Sequence, residues 1–340
     1  IIELLNAEEQ EEIAEIMGYP DDSAGTLMNT EVFTLHESIT AGEAIKTLQD
    51  QEGAEMVFYL YITDDDDRLV GVISLRALTT TPSSTKLKDI MIKNIHSIRP
   101  ETDQEEVARI VAQYNFLAVP VLDSDSKLLG IVTVDDVVDV IREEATEDFL
   151  RMAGAGKDRE ILLKSSWENA KARLPWLFAS WVGGIVAASI IGVFENMLAN
   201  IVALAAFIPV ILGMGGNIAT QSSTIIVRGM ATGRVNIGGE IKLIFKEIKV
   251  GLILGTLYGV LLGVFAKFAF KNTPDNLGFV VGLSICASMI IAATVGTIIP
   301  LVLRKLDIDP AIATGPFVTT SIDILGVLFY FLIAGIFLKI

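Results

Sequence analysis

The sequence predicts two bodies in series: acidic, tandem α+β modules, then an all-α domain of five transmembrane helices. Three observations predict this. Within a chain of 340 residues and net charge −16, residues 1–150 carry 32 acidic and 10 basic side chains, whereas residues 151–340 carry 10 and 16. Five charge-poor apolar runs fill the second part, and the first part repeats itself at a period of about 60 residues. The charge division excludes a single soluble globule. It also excludes nucleic-acid binding through a basic surface, because no such surface exists to neutralise phosphates. The lone Cys286 lies in an apolar run, which excludes a disulfide framework and a multi-cysteine metal centre. The chain opens on Ile1 without a signal-peptide pattern and reads as a fragment whose start lies upstream.

Residues 1–25 read as the tail of a preceding helical unit. Glu8 to Ile16 is an acidic helix, and Tyr19-Pro20-Asp21-Asp22-Ser23-Ala24-Gly25 is a stop and linker. The repeat follows, with copies at 26–85 and 86–148. Leu27–Leu35 aligns with Ile90–Ile98, and each leads into an acid-capped helical pattern, Thr40–Gln49 and Thr102–Ala112. Strand, turn and strand come next: Leu60–Asp64 to Gly71–Leu75, and Val119–Asp123 to Gly130–Val134. Such strand–helix–strand–strand–helix pairs resemble CBS modules. The resemblance implies a sensor of adenine nucleotides or ions. Thr133 and Asp136 match that family's Thr-x-x-Asp ribose pattern and imply an ATP-type ligand, whereas Ala77 replaces the acid after Ser74 in the first copy.

Asp136, Asp139, Glu143 and Glu147 are spaced to share one helix face, widened by Asp135, Glu144 and Asp148. Such a run is either a solvated face or a cation site. The acidic excess favours the cation site, because a divalent ion relieves the repulsion that compaction concentrates. Oxygen-only ligands select magnesium or calcium. A connecting segment at 149–173 contains a basic amphipathic helix, Lys157–Arg173, beside Ile161, Leu162 and Trp167. It either passes movement to the membrane part or lies on the membrane surface.

The transmembrane domain spans 174–340. Its charge-poor runs are Leu174–Phe194, Met197–Val227, Val250–Ala266, Asn276–Leu303 and Pro310–Leu338; all qualify against the ~20 residues that a span requires, the third least clearly, and the second exceeds it. On one side the connections hold Lys157, Arg159, Lys164, Lys171, Arg173, Arg228, Arg234, Lys242, Lys246, Lys249, Arg304 and Lys305. On the other lie Lys267, Lys271 and Lys339. The positive-inside rule therefore puts the acidic modules in the cytoplasm and the C-terminus outside a cell (inner) membrane. In the second run, Pro209 and Gly213-Met214-Gly215-Gly216-Asn217 either open the backbone or form a small-residue packing seam. The fifth run carries Asp323, placed near the bilayer midplane by 12 residues after Pro310 and 15 before Lys339. A charged Asp there costs roughly 2.5–3.5 kcal/mol, so it should either face a wet cavity or, as the weaker alternative, stay neutral and hydrogen-bonded in helix packing. No mid-span Lys, Arg or His pairs with it, which suits a cation path.

These residues together resemble the MgtE family of magnesium channels or transporters. The carrying motifs are Tyr19–Gly25, Thr133–Asp139, Pro209–Asn217, Asp309-Pro310-Ala311, Gly315-Pro316 and Asp323. The resemblance implies a homodimer in lipid with a two-fold pore lined by the second and fifth spans. Asp323 of both subunits would hold hydrated magnesium there, assisted by carbonyls at Gly215, Gly216 and Asn217. It further implies closure by cytoplasmic magnesium at Asp136, Asp139, Glu143, Glu144, Glu147, Asp148 and Asp309. The family carries a full N-terminal helical domain, of which only the tail would be present. Asn115 stands where an acid is expected. Two other readings remain: a membrane-anchored nucleotide or ion sensor without transport, and a carrier of other divalent cations. Enzymatic readings find no support, since His36 and His96 belong to leading strands and no Ser-His-acid set or phosphate loop occurs.

Overall fold

The computed structural model describes residues 16–50, 59–156, 161, 163–235, 238–270 and 273–338. Most of the expected N-terminal helix (8–15), and Lys157, Arg159, Leu162, Lys271 and Lys339, lie outside them. Two compact units divide the chain, Ile1–Glu144 and Ala145–Ile340.

The first unit contains α1 (Ala24–Leu27), β1 (Thr34–His36), α2 (Ala41–Asp50), β2 (Tyr59–Thr63), β3 (Leu69–Ser74) and α3 (Leu75–Thr80). Then follow α4 (Leu87–Ile90), α5 (Gln104–Tyr114), β4 (Ala118–Leu122), β5 (Leu128–Thr133) and the start of α6 (Val134–Met152). Strand β2 pairs in parallel with β1 and antiparallel with β3. In the second copy β4 and β5 form the antiparallel pair, and Ile98 bridges Val121 in the parallel sense that β1 shows toward β2. An acidic side chain caps each of the corresponding helices, from different positions. The Glu43 carboxylate accepts from the Thr40 amide at 2.8 Å, and Asp103 accepts from the Glu105 amide at 2.8 Å. Asn115 ends α5 in the left-handed region, φ 54°, which Asn tolerates better than most side chains.

The two leaders exchange places. Asn29, ahead of the first copy, exchanges backbone hydrogen bonds of 2.8 and 2.9 Å with Ile131 in β5 of the second. Ile92, ahead of the second, does the same with Val72 in β3 of the first, at 3.1 and 2.9 Å. Gly71 and Gly130 permit this close crossing. A Cβ on Gly130 would sit 2.8 Å from the Asn29 carbonyl oxygen, and one on Gly71 would strike the Met91 side chain. Between the copies pack Tyr61, Leu69 and Leu122. Tyr61 is 2% exposed and its hydroxyl has no partner among the described residues. Burial raises its pKa above the ordinary phenol value. Tyr61→Phe removes an unsatisfied buried group, so it is expected to raise unfolding stability by about 1 kcal/mol. Thermal unfolding reads the change, and a loss of stability would reveal a hidden partner.

The second unit continues through α6 to α7 (Ser166–Val193), α8 (Glu195–Asn200), α9 (Ala203–Ala231), α10 (Glu240–Ala269), α11 (Leu277–Lys305), a 3-10 helix (Pro310–Thr314) and α12 (Pro316–Leu338). Helices α7, α9, α10, α11 and α12 are long and apolar enough to cross a membrane. Three details differ from the sequence reading. Ser166–Arg173 is not a separate connecting helix but the opening of α7. Ser165 caps it, its Oγ accepting from the Glu168 amide at 3.4 Å while Glu168 Oε2 accepts from the Ser165 amide at 2.9 Å, and the helix runs through Pro175. The long second run breaks at Ile201, leaving α8 outside the span. Lys242, Lys246 and Lys249 belong to α10 rather than to a loop.

Helices α10 and α11 meet along a glycine seam. Added Cβ atoms on Gly251, Gly255, Gly259 and Gly263 would lie 2.9, 2.9, 2.5 and 2.6 Å from the carbonyl oxygens of Met289, Cys286, Gly282 and Gly278. In lipid, where apolar burial does not drive helix association, this close backbone contact supplies it. A second core joins α8, α9, α11 and α12, where the Tyr330 hydroxyl donates to the Leu204 carbonyl at 2.9 Å.

Candidate functional site

Helix α12 starts late because of its leader. Asp309 Oδ1 accepts from the Ala311 amide at 2.8 Å and starts the 3-10 turn, which ends at Gly315 before Pro316 opens the α-helix. Asp323 is therefore the eighth residue of 23. It sits ~10 Å along a helix of ~34 Å. The apolar run Pro310–Leu338 is broken at Gly315-Pro316, the pair that marks a break in the sequence, and only the 23 residues from Pro316 onward form the helix. The carboxylate is half-buried and has no hydrogen bond or ion pair among the described residues. Nearby, Thr319 Oγ1 donates to the Gly315 carbonyl at 3.3 Å and Ser321 Oγ to the Phe317 carbonyl at 2.6 Å, which leaves their lone pairs available. A cavity of about 370 Å³ between α7 and α12 is lined by apolar groups such as Phe178, Val182 and Ile324, not by Asp323.

The glycine-rich stretch of α9 faces this carboxylate's neighbour. A Cβ on Gly215 would lie 2.9 Å from Ile322 Cγ2 and 2.9 Å from Ser288 Oγ. Helix α9 nevertheless runs unbroken from Ala203 to Ala231, so of the two readings for Gly215–Asn217 the opened backbone is not found, and close packing is found at Gly215 alone. At membrane depth an opened turn would leave carbonyls without partners, and the intact helix satisfies them. Gly215 is buried, a Cβ on Gly216 would have nothing within 4 Å, and Asn217 is exposed.

The acidic residues divide between the units. In the first, Asp136 Oδ2 accepts from the Thr133 hydroxyl at 2.5 Å and from the Thr133 amide at 3.4 Å at the start of α6. Asp139 pairs with Arg142 at 3.5 Å, Glu144 accepts from the Gln104 amide at 2.5 Å, and Glu143 is exposed. In the second, Glu147 and Asp309 are brought together by Arg151, which forms an ion pair with each, while Asp148 is half-buried on the same turn. Burial opposes the charge on Arg151, but the Asp309 and Glu147 carboxylates hold its pKa above the ordinary value. The oxygen donors suit magnesium chemically, yet among the described residues no three Asp, Glu, His or Cys side chains converge on one point.

Sequence reasoning missed a buried polar group. Glu247, 5% exposed on α10, accepts from Ser222 Oγ of α9 at 2.8 Å, and Ser223 Oγ donates to Thr314 Oγ1 at 3.3 Å. The only signal was an acid one turn before an apolar run, and that also describes a loop. Glu247→Gln keeps an acceptor and is expected to stay within about 0.5 kcal/mol of the parent, whereas Glu247→Ala strands Ser222 and costs about 1–3 kcal/mol. Thermal unfolding in detergent checks both. Ser288, 2% exposed, was also missed; its hydroxyl has no partner among the described residues.

Paired α+β modules joined to five apolar helices long enough to span a bilayer, one bearing a carboxylate without a partner among the described residues, define a multi-pass membrane protein with an N-terminal α+β unit. Residues 208–333 match the MgtE profile, described as a divalent cation transporter, and 24–82 and 87–143 match the CBS domain. The chain is 40% identical over 335 residues to the magnesium transporter MgtE of Bacillus subtilis (strain 168), covering 98% of this chain and 74% of the relative. Against that of Thermus thermophilus the identity is 38% over 341 residues, covering 99% and 75%. A solved cytosolic domain of the Mg2+ channel MgtE in complex with ATP is 40% identical, covers 41% of this chain and 56% of its own, and has a TM-score of 0.40. The chain belongs to the MgtE family of magnesium transporters.

Proposed function

We propose that the protein conducts magnesium across the membrane through a pore on the two-fold axis of a homodimer, lined by α9 and α12. One observation carries this reading: the half-buried Asp323 carboxylate, on a spanning helix, without a partner among the described residues. Charged groups inside spans are rare and usually paired, so an unpaired one marks an ion path. Magnesium sheds water reluctantly. Two such carboxylates across the axis hold the ion through its own water shell and avoid that cost, and calcium or sodium fits the same cage less well. The basic residues in the connections support an orientation with the first unit in the cytoplasm and the C-terminus outside.

Regulation is proposed at the acidic residues of α6 and at Asp309. A cytoplasmic dication that binds the closed state more tightly shifts the population toward closed by that differential affinity. Thr133 and Asp136 are proposed to contact the ribose of an adenine nucleotide such as ATP. The test is magnesium flux into proteoliposomes that contain the purified chain, followed with a trapped magnesium indicator. Flux above protein-free vesicles, reduced by magnesium on the face bearing the first unit, is the expected result. No flux, together with tight adenine-nucleotide binding, would instead favour a membrane-anchored sensor.

A further inference from the structure

Two of the proposed regulatory ligands already hold a cation, and it belongs to the protein. Arg151, on the last turn of α6, reaches Asp309 with Nη1 and Glu147 with Nη2. All three side chains are mostly buried, with relative exposures of 25%, 27% and 14%. Asp148 attracts the same guanidinium from farther off. We propose that Arg151 is a tethered counter-cation that competes with magnesium for Asp309 and Glu147 and so sets the concentration at which magnesium acts. The proposal rests on the reading of those carboxylates as regulatory ligands.

Geometry makes the competition direct. A guanidinium between two carboxylates satisfies their oxygens in the way a dication would, and its charge repels any dication approaching them. Magnesium must therefore displace it. Asp309 has a second task that survives the exchange, since Oδ1 caps the 3-10 turn while Oδ2 faces Arg151. The consequence reaches α12. A Cβ on Gly315 would lie 3.5 Å from the Met152 carbonyl and 3.8 Å from that of Arg151, and one on Gly154 would lie 3.7 Å from Pro316 Cδ. The turn carrying Arg151 thus packs on the first residue of the helix that bears Asp323, so release of the guanidinium loosens a contact at the root of the proposed pore helix.

The test is magnesium titration of the full chain in detergent by calorimetry, with Asp309→Asn identifying the heat that belongs to this site. Arg151→Gln is expected to lower the half-saturating magnesium concentration about tenfold. Arg151→Lys keeps a charge but loses the two-pronged grip, and is expected to lower it about threefold; this variant suffices if Arg151→Gln does not fold. An unchanged or raised half-saturating concentration in the folded variants overturns the proposal and leaves Arg151 as a fastener of the loop. Magnesium heat that Asp309→Asn does not alter, in parent and variants alike, overturns the regulatory reading together with it.

Discussion

Asp323→Ala is expected to lower magnesium flux at least about 100-fold while leaving the fold intact. The magnitude follows from charge. A carboxylate and a dication separated by a water layer, about 5 Å apart at an effective dielectric near 20, attract by roughly 7 kcal/mol before solvation losses. A remainder of about 3 kcal/mol after those losses is about two orders of magnitude in occupancy. Asp323→Asn keeps the shape and an oxygen but removes the charge, and should lose nearly as much. Stability should not fall in either variant, because the carboxylate has no hydrogen bond or ion pair among the described residues. Flux into proteoliposomes and thermal unfolding are read on the same preparations. Parent-like flux in Asp323→Asn would remove the ion-holding role.

The second large effect is structural. Gly259→Ala is expected to destabilise the membrane unit by about 3 kcal/mol or more, because its methyl carbon would lie 2.5 Å from the Gly282 carbonyl oxygen. Overpacking usually costs about 1–3 kcal/mol, and here the obstacle is backbone on a helix that cannot swing aside. Gly184→Ala is the control. It lies in α7 with nothing within 4 Å of the new carbon, so the better helix propensity of Ala should leave stability equal or higher by up to about 1 kcal/mol. Thermal unfolding in detergent compares the two. Equal melting temperatures would show that α10 and α11 are held by something other than close backbone contact.

Particular residues show how far the sequence reached. Gly71 and Gly130 occupy matching positions of the two copies, and each leaves room for the other copy's leader; the repeat was legible, but the exchange of leaders was not. At Gly213–Asn217 the residues allowed either an opened backbone or a seam, and the structure keeps an unbroken helix in which Gly215 packs on Ile322 and Ser288. Asn115 read as a missing acid, whereas its left-handed backbone explains the residue on conformational grounds.

The number of spans and the tandem modules were determined by the sequence alone. Both depend on local composition and period: runs of apolar residues long enough for the bilayer, and a strand–helix–strand–strand–helix pattern that recurs after about 60 residues. Tertiary structure alone decided the partners. Arg151 meets Asp309 across 158 residues of chain, and Ser222 meets Glu247 across 25. Neither pairing follows from a local pattern, because each exists only after helices have packed and the cost of an unmet charge or hydroxyl has selected which groups face each other.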